Sequence, residues 1–235
     1  MNIAETVPNK QQIKSQRAQD AICDAAIESL YAVGYGDTTL NKVAAMAGFS
    51  KGALQHHFAA KEDLIAATAD RLLQRSVAGP SMSQSSIRKL TTVKSRTQDE
   101  SVEDSFRRLW LKLVNTAAYR ALLEILNAAR ADTKLQARIS ENLLTWGRAL
   151  DQYAVDTYES VNGDDEDVKA LMNMTRSFMR GLIIQERYVA NSKETATYIE
   201  RWIAMIGPQL RMRRIEANQI EEKNDTDLND AKQEK

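Results

Sequence analysis

The chain has 235 residues, 32 basic and 32 acidic side chains, and a formal net charge of zero. Its single cysteine, Cys23, excludes an internal disulfide and fits a reducing cytoplasm. No stretch approaches the roughly 20 apolar residues that span a bilayer, and the polar start, Met1 to Ser15, lacks a signal-peptide core. Three prolines and nine glycines among abundant Ala, Leu, Arg, Glu and Gln predict an all-helical protein.

Residues 1–12 read as a flexible arm, and the first helix is expected from about Lys14 to Val33, where Gly34 ends it. Ile22, Ala25, Ala26, Leu30 and Val33 recur on one face of that helix, and Cys23 reads there as a small buried hydrophobe. Thr38 or Thr39 can cap a short second helix with Leu40, Val43, Ala44 and Ala47 on its apolar face. Gly48 can take the left-handed conformation that ends it. Ser50 caps a third helix that buries Ala53, Leu54 and Phe58. Two helices this short, joined this tightly, cross steeply around small Ala44; this is the helix-turn-helix arrangement, which presents its second helix to the DNA major groove. A fourth helix follows from Lys61 to about Val77.

Taken together, Ile22-Cys-Asp-Ala-Ala26, Gly34-Tyr35, Thr38 to Ser50 and Phe58-Ala-Ala-Lys61-Glu-Asp-Leu64 resemble the DNA-binding domain of the TetR/AcrR repressors, over about Arg17 to Leu73. The resemblance implies an N-terminal three-helix helix-turn-helix domain over 13–78 and a C-terminal helical ligand-binding and dimerisation domain over 101–215. Phosphate contacts fall by this resemblance on Thr39, Lys61 and Arg17. Ala53, Leu54 and Phe58 face inward, which leaves Lys51, Gly52, Gln55 and His56 outward on the recognition helix. Lys51 can donate to guanine or phosphate, and Gln55 can bond adenine in bidentate fashion. The family most often has tyrosine at the place of Gln55, so this chain is expected to prefer a different operator. His56 and His57 diverge by about 100° on a helix and do not share a metal.

Charge gives an awkward answer: residues 1–75 hold eight basic and eight acidic side chains, where a DNA-binding domain is usually basic. The DNA reading therefore needs sorting by face. Lys10, Lys14, Arg17, Lys42, Lys51 and Lys61 must line one side, with Asp20, Asp24, Glu28, Asp63 and Asp70 elsewhere.

Gly79-Pro80 and the serines after it open a connector over 79–100. From Val102 helical periodicity returns through Phe106, Leu109, Trp110, Leu113 and Val114 and on through Tyr119 to Leu126. Further helices are expected over Thr133–Tyr158, Glu166–Ala190 and Lys193–Met212. Asn162 to Asp167 reads as a turn, since its spacing does not make a calcium loop. The last two long helices carry apolar side chains on more than one face, which calls for a second partner; by resemblance that is a homodimer, with Phe178, Leu182, Trp202 and Ile206 as candidate contacts. Trp110, Leu113, Tyr119, Leu123, Leu126, Trp146, Tyr153, Met172 and Phe178 are candidate linings for a small hydrophobic effector, with Arg130 or Asn142 to orient it. The remainder, 216–235, is polar and charged, as a disordered tail would be.

No nucleophile with its base, metal cluster or phosphate loop stands out, so neither an enzyme nor a cofactor is expected. The competing reading is an all-helical protein–protein module without DNA, supported by the neutral N-terminal domain.

Overall fold

The computed structural model describes residues 9–78, 100–186, 188 and 191–213. The connector up to residue 99, the arm before Asn9 and the tail from 216 onward lie outside the described residues.

Helix α1 (Lys10–Asp37) opens at a capping box in which Asn9 and Gln12 satisfy each other's backbone N–H ends. That pair starts the helix earlier than its polar composition suggests, so residues 10–12 are helix rather than arm. Gly34 interrupts α1 at φ 74°, as expected, but helical backbone resumes to Asp37. Helices α2 (Leu40–Ala47), α3 (Lys51–His57) and α4 (Lys61–Ala78) follow. Of the three α3 residues expected to face inward, Leu54 and Phe58 are buried, whereas Ala53 is exposed. Ala53 is turned about 100° from Leu54 around the helix, and Phe58 is the residue that closes it.

The C-terminal domain opens with α5 (Val102–Leu109), capped by Ser101. A π turn over Trp110–Val114 follows, closed by the Asn115 N–H on the Trp110 carbonyl. Then come α6 (Ala117–Ala129), α7 (Thr133–Thr157), β1 (Tyr158–Ser160), α8 (Asp165–Gln185), α9 (Ser192–Ile206) and β2 (Leu210–Met212). Asp164 caps α8, and Asp165, Glu166 and Asp167 sit in its first turn, where the helix end attracts negative charge.

The last helix, expected to reach Met212, stops at Ile206. Pro208 has no N–H to continue the ladder and would clash with the preceding turn. The chain tightens through Gly207–Gln209 and becomes β2, which pairs antiparallel with β1, Tyr158 opposite Met212 and Ser160 opposite Leu210. Leu210 thereby reaches the core. The fold remains all-helical in class, with one short strand pair fastening its end.

Apolar side chains collect in three places. Ile22, Ala26, Val43, Leu54, Phe58 and Leu64 fill the helix-turn-helix. Phe106, Trp110, Tyr158, Met179 and Ile203 belong to the core of the C-terminal domain. Between them lies a seam shared by both, where Ile27, Leu30, Ile65 and Leu72 of α1 and α4 meet Leu122, Ile125, Leu135 and Ile139 of α6 and α7. Arg138 pairs with Asp63 and Asn142 donates to Asp70 along its edge.

This packing corrects several expected positions. Leu182 and Ile206, expected at a dimer contact, are 6% and 3% exposed inside the protomer's own core. Phe178 and Trp202 are half-buried and stacked on each other, ring centroids 4.6 Å apart. Arg130 and Asn142 are exposed on the outer surface and orient nothing in the interior. Arg130 caps the end of α6 just past buried Ala129, and Asn142 lies on α7, whose inward side is filled by Leu135 and Ile139.

Ile139 is fully buried in the shared seam. Ile139→Ala is expected to cost about 2–5 kcal/mol, as large-to-small changes in a sealed core do. Denaturant unfolding followed by circular dichroism should show the loss as one shifted transition, because both domains border the same seam.

Candidate nucleic-acid interface

The recognition element is built by three local devices. The Thr39 hydroxyl accepts from the Lys42 N–H and starts α2. Gly48 then adopts φ 73°, and the Phe49 N–H bonds the Ala44 carbonyl at 2.9 Å, turning the chain within three residues. The Ser50 hydroxyl accepts from the Ala53 N–H and starts α3. Lys51, Gly52, Gln55 and His56 all lie exposed on α3, as expected, and His57 is half-buried. No protein atom lies within 4 Å of where a Cβ on Gly52 would stand, so this part of the helix is open to close approach from outside.

The charges sort by pairing. Arg71 on α4 binds Asp24 through two nitrogens and Asp20 through a third, tying α4 to α1. Asp63 is taken by Arg138, and Asp70 by Asn142. Four of the domain's acids are thus engaged with α4 or α7, while Arg17, Lys42 and Lys51 are exposed. Exposed Glu28 and Asp37 have no partner among these contacts, so pairing removes part of the domain's negative charge rather than all of it.

Lys61 stands differently from a free phosphate contact. It is half-buried at the start of α4, and its amine donates to the Tyr35 carbonyl at 2.6 Å and to the Gly36 carbonyl at 3.4 Å. It also lies 4.0 Å from the centroid of the Tyr35 ring. Burial holds its pKa below the usual lysine value. Tyr35 in turn donates its hydroxyl to Asp132, the cap of α7, and its N–H to Glu124 on α6. The end of α1 is further held by a buried Ser29–Thr38 hydroxyl pair and by Thr38 donating to the Gly34 carbonyl. None of these partners is visible in the sequence, since Tyr35 and Asp132 are 97 residues apart. The i, i+4 spacing of Asp20 and Asp24 is the one hint of a shared cation.

The expected effector linings divide. Trp110, Tyr119, Leu123 and Met172 are buried in the C-terminal core, and Leu113, Leu126 and Phe178 pack at its margin. Trp146 packs instead against the seam shared with the N-terminal helices, and Tyr153 is half-buried on α7. Among the described residues no group of His, Cys, Asp or Glu is placed to hold a metal, and no helix is long and apolar enough to cross a membrane.

Residues 22–68 match the family model described as bacterial regulatory proteins, tetR family. No curated protein matches the chain in sequence. Solved structures share its fold. A TetR transcription regulator from Haloarcula marismortui is 19% identical, with a TM-score of 0.58 over 83% of this chain and 100% of that one. A TetR-family regulator from Mesorhizobium loti is 17% identical, with a TM-score of 0.58 over 82% and 96%. A transcriptional regulator from Saccharomonospora viridis, in complex with choline, is 15% identical, with a TM-score of 0.56 over 85% and 100%.

Burial pushes the Cys23 thiol up to about 11 from its usual 9.0, against a lowering hydrogen bond with Thr68. Between those values the unfolded chain has lost a proton that the native chain keeps, so stability should fall as pH rises through this window. Native protein at pH 8 should resist thiol alkylation and react fully once unfolded, a difference that mass spectrometry reads directly.

Proposed function

We propose that this chain, a member of the TetR family of bacterial regulators, is a homodimeric repressor that leaves a palindromic operator when a small, mostly hydrophobic ligand binds. The observation that carries the DNA part is the outer edge of α3. Lys51, Gln55 and His56 are exposed there beside an open Gly52, while the domain's acids Asp20, Asp24, Asp63 and Asp70 are bound elsewhere. Lysine and glutamine offer the donors that guanine and adenine edges accept in the major groove. Arg17, Thr39 and Lys42 are exposed on the neighbouring helices and would position the domain on phosphates, which carry no sequence information.

The dimer reading is supported by side chains left uncovered on the last two long helices. Met174 and Ile184 of α8, Tyr188 just beyond it, and Tyr198 and Met205 of α9 are large, apolar and exposed. The Phe178–Trp202 stack joins the two helices between them. A two-fold copy would cover this face and set two recognition helices about 34–36 Å apart, or a multiple of that, on one side of the duplex. Effector binding is supported by the π turn that Trp110 begins, a helix irregularity frequent at functional sites, with Tyr119 and Met172 buried in the same core. The choline complex of the structural neighbour from Saccharomonospora viridis is consistent with it. A ligand there acts only through its difference in affinity between the DNA-bound and free arrangements.

Lys51→Ala and Gln55→Ala should each lower selectivity for the preferred operator, at about 1–3 kcal/mol per lost base contact. Footprinting on a duplex selected from random sequence reads this, and unchanged sequence preference in both variants rejects the assignment. Met205→Asp should give monomers in sedimentation velocity at micromolar concentration; a persistent dimer would move the interface elsewhere. If the unmodified chain binds duplex no better at low salt than at high, the protein–protein module is the better reading.

A further inference from the structure

The DNA-binding domain holds one cation engaged with its own backbone, on a residue that the C-terminal domain contacts. Lys61 is the first residue of α4, beside the chain that leads into Thr39 and α2. Its amine is turned back onto the Tyr35 and Gly36 carbonyls and over the Tyr35 ring. Those carbonyls belong to the last turn of α1, which carries partial negative charge. They are neutral acceptors, and a phosphate oxygen makes a stronger, charge-assisted bond to the same amine.

The ring and backbone that hold Lys61 are themselves held from the other domain. Asp132 keeps the Tyr35 hydroxyl with one carboxylate oxygen while the other caps α7. Glu124 of α6 accepts the Tyr35 N–H, and its carboxylate lies so close to Gly34 that a Cβ there would approach to 3.0 Å. Tyr35 therefore touches α4, α6 and the cap of α7 at once. A shift of α6 or α7 against α1 thus changes the contacts that position this residue.

We propose that Lys61 is a switched phosphate contact and that Tyr35 is the positioning residue that switches it. While α6 and α7 hold Tyr35 in place, the amine stays on the end of α1. When that hold loosens, the lysine stem rotates and delivers the charge to the DNA backbone next to Thr39. The C-terminal domain thus sets DNA affinity by withholding or releasing one charge, in addition to any change in spacing between the two recognition helices. Arg71, by contrast, is fastened to Asp20 and Asp24 within the N-terminal domain and makes no link to α6 or α7 in its hydrogen bonds.

This rests on the DNA-binding reading above, and the experiment separates the two. Binding of the full chain to a mixed-sequence duplex is measured by fluorescence anisotropy between about 50 and 200 mM salt, where the slope counts phosphate contacts. Lys61→Met, which keeps the aliphatic stem, should reduce the slope by about 1.8, one contact from each subunit of the dimer. Tyr35→Phe keeps the ring and carbonyl but frees it from Asp132; it should tighten binding about fivefold per subunit, the size of one ordinary hydrogen bond. Glu124→Gln, which weakens the other tether, should act in the same direction. Neither gain should survive in the Lys61→Met background. A Lys61→Met slope equal to that of the unmodified chain overturns the proposal, as does a Tyr35→Phe gain that persists without Lys61 or no gain in either tether variant. Loss of salt-dependent duplex binding by the unmodified chain overturns the DNA-binding reading itself.

Discussion

The apolar seam between α1–α4 and α6–α7 is the contact on which the rest depends. Ile27, Leu30, Ile65 and Leu72 on one side, and Leu122, Ile125, Leu135 and Ile139 on the other, form a single buried cluster. Neither half has enough apolar surface to seal that cluster alone. The helix-turn-helix core of Ile22, Val43, Leu54 and Phe58 is small, and small domains bury a low fraction of their surface. By sharing α1 and α4 with the larger domain, the recognition helix is carried on a rigid base, and whatever moves α6 or α7 moves it too.

The polar contacts at the edge of the seam give this coupling its chemistry. Asp63–Arg138 and Asp70–Asn142 run along α4 and α7, and Tyr35 reaches both Glu124 and Asp132. Exposed ion pairs of this kind contribute little stability. Their larger effect is on placement, because each one joins the N-terminal helices to α6 or α7 across the seam. Within a domain of no net charge, Asp20, Asp24 and Asp63 are paired with arginines while Arg17, Lys42 and Lys51 stay exposed.

Capping and turn chemistry make much of the N-terminal half legible from the order of its residues. Thr39, Gly48 and Ser50 act as their types and spacing imply, because each governs hydrogen bonds within three or four residues of itself. The fourfold repeat of apolar residues places Ile22, Ala26 and Leu30 inside for the same local reason. Ala53 departs from its expected place because it is turned about 100° from its neighbour Leu54, the one buried residue of the seven in α3. Leu182 and Ile206 depart from theirs because periodicity shows which residues are apolar but not which of two apolar faces meets the chain's own core. The strand pair of Tyr158–Ser160 with Leu210–Met212 leaves no signal beyond Pro208, since three residues are too few to show alternation.

The sequence by itself thus determined the class of fold, the helix-turn-helix, its caps and the side chains exposed on α3, all of which are set by neighbours close along the chain. The tertiary structure alone decided which acids are neutralised, that Lys61 rests on Tyr35, and that Tyr35 answers to Glu124 and Asp132. Those contacts join residues 26 to 97 positions apart. At such separations a side chain finds its partner only after helices pack, and no periodicity along the chain records which helix arrives.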